Sequence, residues 1–325
     1  MHHHLFEELG RSIRVAILET PAGFELNSAD VAAAVGDFLR ARLTNFSPSV
    51  SVIPARRRDD LWSTNDPKVL APLIEANYIF AGAGSPTYMA RHLKDTLAYE
   101  YLLGRHRQGA AVCFASAAAI AAGAKALPVY EIYKAGIDPY WAEGLNFFGC
   151  FGLELAIVSH WNNREGGEKV DTSHCFVGRK RLESMRHSMP TTTRLVGIDE
   201  HTGLLFDFQK ERCEVLGKSA VTVLSPGKME VYQSGAAFPI TMLGQYHLPP
   251  DIPLHGPPVA EQGRALDAAP EPSAEVLALI QQREAARRAR NWVEADALRQ
   301  KIAERGFEVQ DTPGGPRWQH LGTGA

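Results

Sequence analysis

Cysteine is scarce in this chain: four among 325 residues, Cys113, Cys150, Cys175 and Cys213, widely spaced and with no Cys-x-x-Cys pair. That spacing excludes a zinc knuckle and a dithiol redox motif, and the four read as reduced thiols. A surplus of charge is missing too. With 34 Lys and Arg against 37 Asp and Glu, the formal net charge is −3, which excludes a chain-wide nucleic-acid or membrane-coating surface and confines any such role to a local patch. The most apolar stretch, 109–129, is dominated by alanine and glycine and carries Lys125, so its transfer free energy is too small for a membrane span. It reads as a buried strand followed by a helix. The first residues lack the basic-then-apolar layout of a secretory signal, because Glu7 and Glu8 stand where the apolar core belongs. The cytoplasm is the expected compartment.

What is present is an alternation. Ile13 to Leu18 forms a β-prone run ending in a Pro/Gly loop, and Asn27-Ser28 caps a helix through about Leu43. A strand at Val50 to Ile53, a helix at Lys68 to Glu75 and a strand at Tyr78 to Ala81 follow. The loop Gly82-Ala-Gly84-Ser-Pro-Thr87 then leads into a helix over Tyr88 to Leu103. Strands alternating with helices predict an α/β fold, a parallel sheet flanked by helices, with ligands at the carboxyl ends of the strands. Further short strands run to about Gly235.

Three segments at such ends carry chemistry. An apolar run from Ala110 to Phe114 is followed by Ser116 and an alanine-rich helix former, the layout of a strand-to-helix turn that exposes a nucleophile. His160 follows Val158-Ser159, and Glu200 closes Gly197-Ile-Asp-Glu. A serine becomes nucleophilic at neutral pH only beside a base, imidazole suits that pH, and a carboxylate fixes its tautomer. His174 competes with His160 as the base. Asp199 competes with Glu200 as the orienting carboxylate, but neighbours on a strand face opposite ways, so one alone points into a site. Cys113 reads as a buried thiol, whereas Cys175, close to Arg179, Lys180 and Arg181, is the candidate for a lowered thiol pKa.

At these residues the chain resembles the serine peptidase family of dipeptidase E and cyanophycinase, which shares its fold with class I glutamine amidotransferases. Residues 12 to 235 carry it. Gly82-Ala-Gly84-Ser corresponds to the family's Gly-Gly-Gly-Asn, Ser116 to the elbow serine, and His160-Trp-Asn-Asn163 to a His-aromatic-x-Asn setting. The resemblance implies Ser116 as nucleophile, His160 as general base, Glu200 as its orienter, and an oxyanion hole from the backbone N–H groups of Gly84 and Ala117. It implies an acyl-enzyme on a small peptide or amide, with no metal and no organic cofactor. The elbow glycines of the family are here Phe114 and Ala118, and Ala83 replaces a loop glycine. Relatives that favour aspartyl peptides ask for a cation, for which Arg164, Arg179 and Lys180 are candidates.

The organisation expected is a catalytic-type domain over 1–244, a Pro-rich linker over 245–272 and a small domain over 273–325. In the last, Ser273 caps one helix and Asn291 a second, Gly306 stops it, and Phe307 onward forms a β-hairpin. Trp292 and Trp318 are expected to carry its core. Here Arg283-Glu-Ala-Ala-Arg287-Arg-Ala-Arg290-Asn-Trp292 and Asp311-Thr-Pro-Gly-Gly-Pro-Arg317-Trp318 resemble the C-terminal domain of cysteinyl-tRNA synthetases. That resemblance implies tRNA or RNA as partner, with Arg283, Arg287, Arg288 and Arg290 as candidate phosphate contacts. The synthetase signatures His-Ile-Gly-His and Lys-Met-Ser-Lys-Ser are missing, so the expectation stops short of aminoacylation.

Overall fold

A computed structural model describes residues 1–10, 12–249, 272–312 and 315–320. The chain divides into two compact units, Met1–Leu254 and His255–Ala325. Of the expected linker, residues 250–271 lie outside the described residues.

In the first unit four parallel strands, β1 (Arg14–Leu18), β2 (Ser49–Ile53), β3 (Tyr78–Ala81) and β4 (Ala111–Phe114), lie in the order β2-β1-β3-β4. Successive strand residues face opposite sides, and both sides of this sheet are apolar. Val15, Ile17, Tyr78 and Phe80 pack with Phe6 of α1 (His2–Leu9) and with Ala32 and Leu39 of α2 (Ser28–Arg42). Ala16, Leu18, Ile79 and Ala81 pack on the other side, against α3 (Pro67–Glu75), α4 (Pro86–Leu93), α5 (Leu97–Arg107) and α6 (Ala117–Ala122). The fold is therefore α/β, a parallel sheet flanked by helices.

A second sheet runs β12-β11-β8-β7-β5-β6, with β5 (Lys125–Ala126), β6 (Ala142–Glu143), β7 (Leu155–Val158), β8 (Arg194–Ile198), β11 (Ala220–Ser225) and β12 (Lys228–Gln233). β5, β7 and β8 are parallel, and the outer strands are antiparallel. The helices α7 (Val129–Tyr133) and α8 (Arg179–His187) cover part of it. A third, antiparallel sheet holds β9 (Thr202–Asp207), β10 (Arg212–Gly217) and β13 (Ala237–Pro239).

Local signals explain the helix starts. Asp66 accepts from the Lys68 N–H and Pro67 occupies the first turn of α3, while Ser85 accepts from the Tyr88 N–H with Pro86 opening α4. Two expectations are corrected. The Asn27 side chain makes no cap hydrogen bond. The helix expected over Tyr88 to Leu103 is two helices, broken at Asp95, whose φ is +56°. Distant residues cap the second one: Asn65 Oδ1 accepts from the Leu97 N–H, and Thr64 O from the Ala98 N–H.

The second unit has helices Ala274–Arg288 and Trp292–Glu304 and the antiparallel strands Phe307–Thr312 and Gly315–His320. Ser273 and Asn291 cap the helices through their side chains. Its core is Val276, Ile280, Ile302, Phe307 and Val309. The tryptophans expected there are exposed, Trp292 at 56% and Trp318 at 39%. Trp318 still meets Phe307 of that core edge to face at 6.0 Å.

Candidate active site

Ser116 ends β4. The Ala115 N–H still donates to Ala81 O, as the ladder requires, and then Ser116 turns the chain with φ +54° and ψ −119° before α6 begins. A non-glycine residue in that region costs about 1–3 kcal/mol, a strain concentrated at functional turns. The Ala118 N–H donates to Gly82 O at 3.1 Å, which holds the 82–85 loop against the first turn of α6. Ala118 is fully buried, and the Phe114 ring meets Phe147 edge to face at 5.1 Å. The residues that stand where elbow glycines occur are thus absorbed by the packing around the turn.

Ser116 Oγ lies 2.9 Å from His160 Nε2. On the far side of the ring His160 Nδ1 lies 3.2 Å from Glu200 Oε1. A carboxylate accepts, so Nδ1 carries the proton and Nε2 offers its lone pair to the serine hydroxyl. Glu200 Oε1 also accepts from Asn163 Nδ2 at 2.9 Å, and the Glu200 N–H donates to Asn162 Oδ1 at 2.8 Å. The Asn163 amide, with His160 second, holds the Glu200 carboxyl below its ordinary value although desolvation opposes this. His160 and Glu200 side chains are 36% and 34% exposed, so the group is open to solvent.

The competing residues are placed elsewhere. Asp199 turns away and accepts from Ser219 Oγ and the Ala220 N–H. His174 Nδ1 is 2.9 Å from Ser173 Oγ, its ring stands edge-on to Trp161, and burial lowers its pKa. Cys175 is buried and its thiol is pushed up to about 12, the reverse of the lowering expected from Arg179 and its neighbours, whose side chains are exposed. Burial likewise pushes Cys113 up to about 11. Both thiols are thereby held protonated at neutral pH.

Gly84 and Ala117 flank the serine in the loop and the helix start. Among the described residues neither N–H has a protein acceptor. Gly84 has φ +142°, and a Cβ there would sit 1.9 Å from Pro21 O, so only glycine fits this approach. Sequence reasoning passed over Ser159, whose Oγ donates to Ser116 O at 3.2 Å, and Asn162. The polar Asn-Asn pair directly after His160-Trp161 was the available signal. A cavity of about 410 Å³ opens at Ser116, His160 and Glu200.

In the second unit, Arg288 and Arg290 are exposed, while Arg287 is half-buried with its guanidinium 5.7 Å from the Trp292 ring centroid. Arg283 is 3% exposed, beside Glu284 at 3.5 Å. The expectation of a surface phosphate contact at Arg283 is corrected: it lies one helical turn beyond Ile280 on the buried face.

Among known proteins, residues 269–318 match the family of the cysteinyl-tRNA ligase anticodon binding domain. The cysteine–tRNA ligase of Xanthomonas oryzae pathovar oryzae is 39% identical over 66 residues, 20% of this chain and 13% of that protein. That of Chlamydia trachomatis serovar A is 48% identical over 52 residues, 16% of this chain and 11% of that protein. The chain spans only about an eighth of the length of the first of these relatives, 13%. A crystal structure of a peptidase from an acI-B1 actinobacterium superposes with a TM-score of 0.55 at 18% identity, over 73% of this chain and 88% of that one. That likeness is one of fold.

Proposed function

We propose that the first unit is a serine hydrolase that cleaves a small peptide or amide through an acyl-enzyme. The observation that carries this reading is the line from Ser116 Oγ to His160 Nε2 to Glu200, 2.9 and 3.2 Å, set on a strained turn. His160 Nε2 takes the hydroxyl proton as Oγ forms a bond to the substrate carbonyl. The Gly84 and Ala117 N–H groups face the oxyanion, and the amide C–N bond breaks as His160 passes the proton to the leaving nitrogen. Water, deprotonated by the same imidazole, then releases the acid. Glu200 fixes the tautomer and stabilises the imidazolium. No step calls for a metal or an organic cofactor. The four free thiols suit a reducing compartment such as the cytoplasm.

The experiment is a screen of short peptides and amides with the native chain and Ser116→Ala. Hydrolysis lost in the variant supports the reading, and hydrolysis that survives in it overturns the assignment of the nucleophile.

A second reading rests on the match at residues 269–318. It makes 273–325, carried by a linker over 245–272, a tRNA- or RNA-binding module, on which Arg288 and Arg290 meet phosphates beside Trp292 and Arg287. The domain over 1–244 is in that case a silent scaffold. Tight tRNA binding, weakened by Arg288→Ala with Arg290→Ala, in a chain that hydrolyses nothing would favour it.

A further inference from the structure

The sheet is parted beneath the serine. β4 pairs with β3 along its length, and β7 pairs with β8 and, at Ala156, with the two-residue β5. Among the described residues no ladder joins β4 to β7. Their upper ends are tied by Ser159 Oγ donating to Ser116 O. The Ala111 N–H donates to Asn77 O and the Ala115 N–H to Ala81 O, which turns the odd-numbered amides of β4 toward β3. Alternation along a parallel ladder then turns the Val112 and Phe114 amides to the opposite edge. The cavity follows that edge, since every residue from 111 to 116 lines it, together with Ile157 of β7. Consecutive strand residues point to opposite faces, so a cavity touching all of them runs along the strand's side.

The walls are aromatic: Phe114, Phe147, Phe148, Phe206 and Phe208. Among the described residues that line it, none is Lys or Arg, and the acids are Glu200 and Asp199, the latter with its carboxylate engaged by Ser219 and Ala220. Arg164, Arg179 and Lys180 do not line it. His106 also faces the cavity. Its Nδ1 is 3.1 Å from Ala110 O, which requires the proton there and leaves Nε2 as an acceptor. The cation nearest this space is the Met1 ammonium at its rim, so a carboxylate entering it would be desolvated with no lysine or arginine side chain to pair it. An apolar side chain would suit the rings, and a backbone edge facing the same space needs hydrogen-bonding partners. A ligand that meets both demands has amide groups and an apolar side chain, and the volume lies within the ~300–1,000 Å³ of small-ligand sites.

We propose that the parted sheet is the specificity subsite for an extended peptide segment. Its backbone pairs with the Val112 and Phe114 edge, and a bulky apolar residue beside the scissile bond lies among the phenylalanines. This rests on the hydrolase reading of the first unit, and its test separates the two. Calorimetric titration of the full-length Ser116→Ala chain with Ala-Phe-Ala-amide and with Ala-Asp-Ala-amide measures the subsite without turnover. At least tenfold tighter binding of the Phe peptide is expected. Two cavity-filling variants on separate elements, Ala119→Leu on α6 and Leu204→Trp on β9, each with its fold checked by circular dichroism, are expected to remove that preference. Equal affinity for the two peptides, tighter binding of the Asp peptide, or a Phe preference untouched by both filled variants would overturn the subsite. Phosphorylation of the native chain by diisopropyl fluorophosphate, with loss of fluoride, reads the hydrolase separately: its failure with the Phe preference intact would end the hydrolase reading and leave the apolar subsite standing.

Discussion

Trp161 packs directly against Gly197: a Cβ on Gly197 would stand 2.2 Å from the indole Cδ2. The ring therefore uses the bare backbone of β8 as its seat. The Trp161 N–H donates to Ile198 O at 3.0 Å, and the same contact sets the neighbouring His160 above Ser116.

Gly197→Ala is expected to lift the indole and with it His160. Overpacking of this kind costs about 1–3 kcal/mol. Displacing a base by about 1 Å costs on the order of 100-fold in rate. Thermal unfolding and the rate of Ser116 phosphonylation read the two effects, and a variant that labels at the native rate would detach Trp161 from the positioning of His160.

Asn163→Ala removes the amide that does most to hold the Glu200 carboxyl low. Because that carboxyl is lower in the folded than in the unfolded chain, its contribution to stability is present above the unfolded value and is lost as pH falls through the folded one. The variant moves this loss, and the acid limb of activity, to higher pH. Stability at neutral pH should drop by about 1 kcal/mol, less than a buried charged hydrogen bond because Glu200 is a third exposed. The pH dependence of unfolding and of labelling checks both.

With thiols pushed up to about 11 at Cys113 and to about 12 at Cys175 and Cys213, none of the three should react appreciably with iodoacetamide at pH 8 in the folded chain. All four cysteines should react in denaturant. Mass mapping that found Cys175 labelled rapidly in the native state would contradict the burial described for it.

Arg283→Ala should destabilise the second unit by about 1–3 kcal/mol through lost packing of its stem and an altered buried charge, whereas Arg288→Ala should stay within about 0.5 kcal/mol. Chemical unfolding followed by circular dichroism distinguishes them. Equal effects would place Arg283 on the surface after all.

Much of the frame was legible because its signals are local. Continuous apolar runs mark β1 and β3, and proline with an aspartate or serine cap marks the starts of α3 and α4. The break at Asp95 was not, since the groups that cap α5 come from Thr64 and Asn65, some thirty residues upstream. Ser116, His160 and Glu200 could be picked out as residues at strand ends. The choice of His160 over His174 depends on how the 160–178 loop folds back, with the Cys175 N–H on His160 O, and no spacing encodes that. The aromatic cavity was invisible for the same reason, its walls coming from segments a hundred residues apart. Arg283 is different: with Val276 and Ile280 it falls on one helical face at seven- and three-residue spacing, so its burial could have been read from periodicity.

The proposed hydrolase depends on activation of Ser116 by His160. Intact-mass analysis after exposure to a fluorophosphonate tests it most directly. One adduct per chain is expected, absent in Ser116→Ala and strongly slowed in His160→Ala. A folded chain that takes up no adduct, or an adduct that persists in Ser116→Ala, would contradict it.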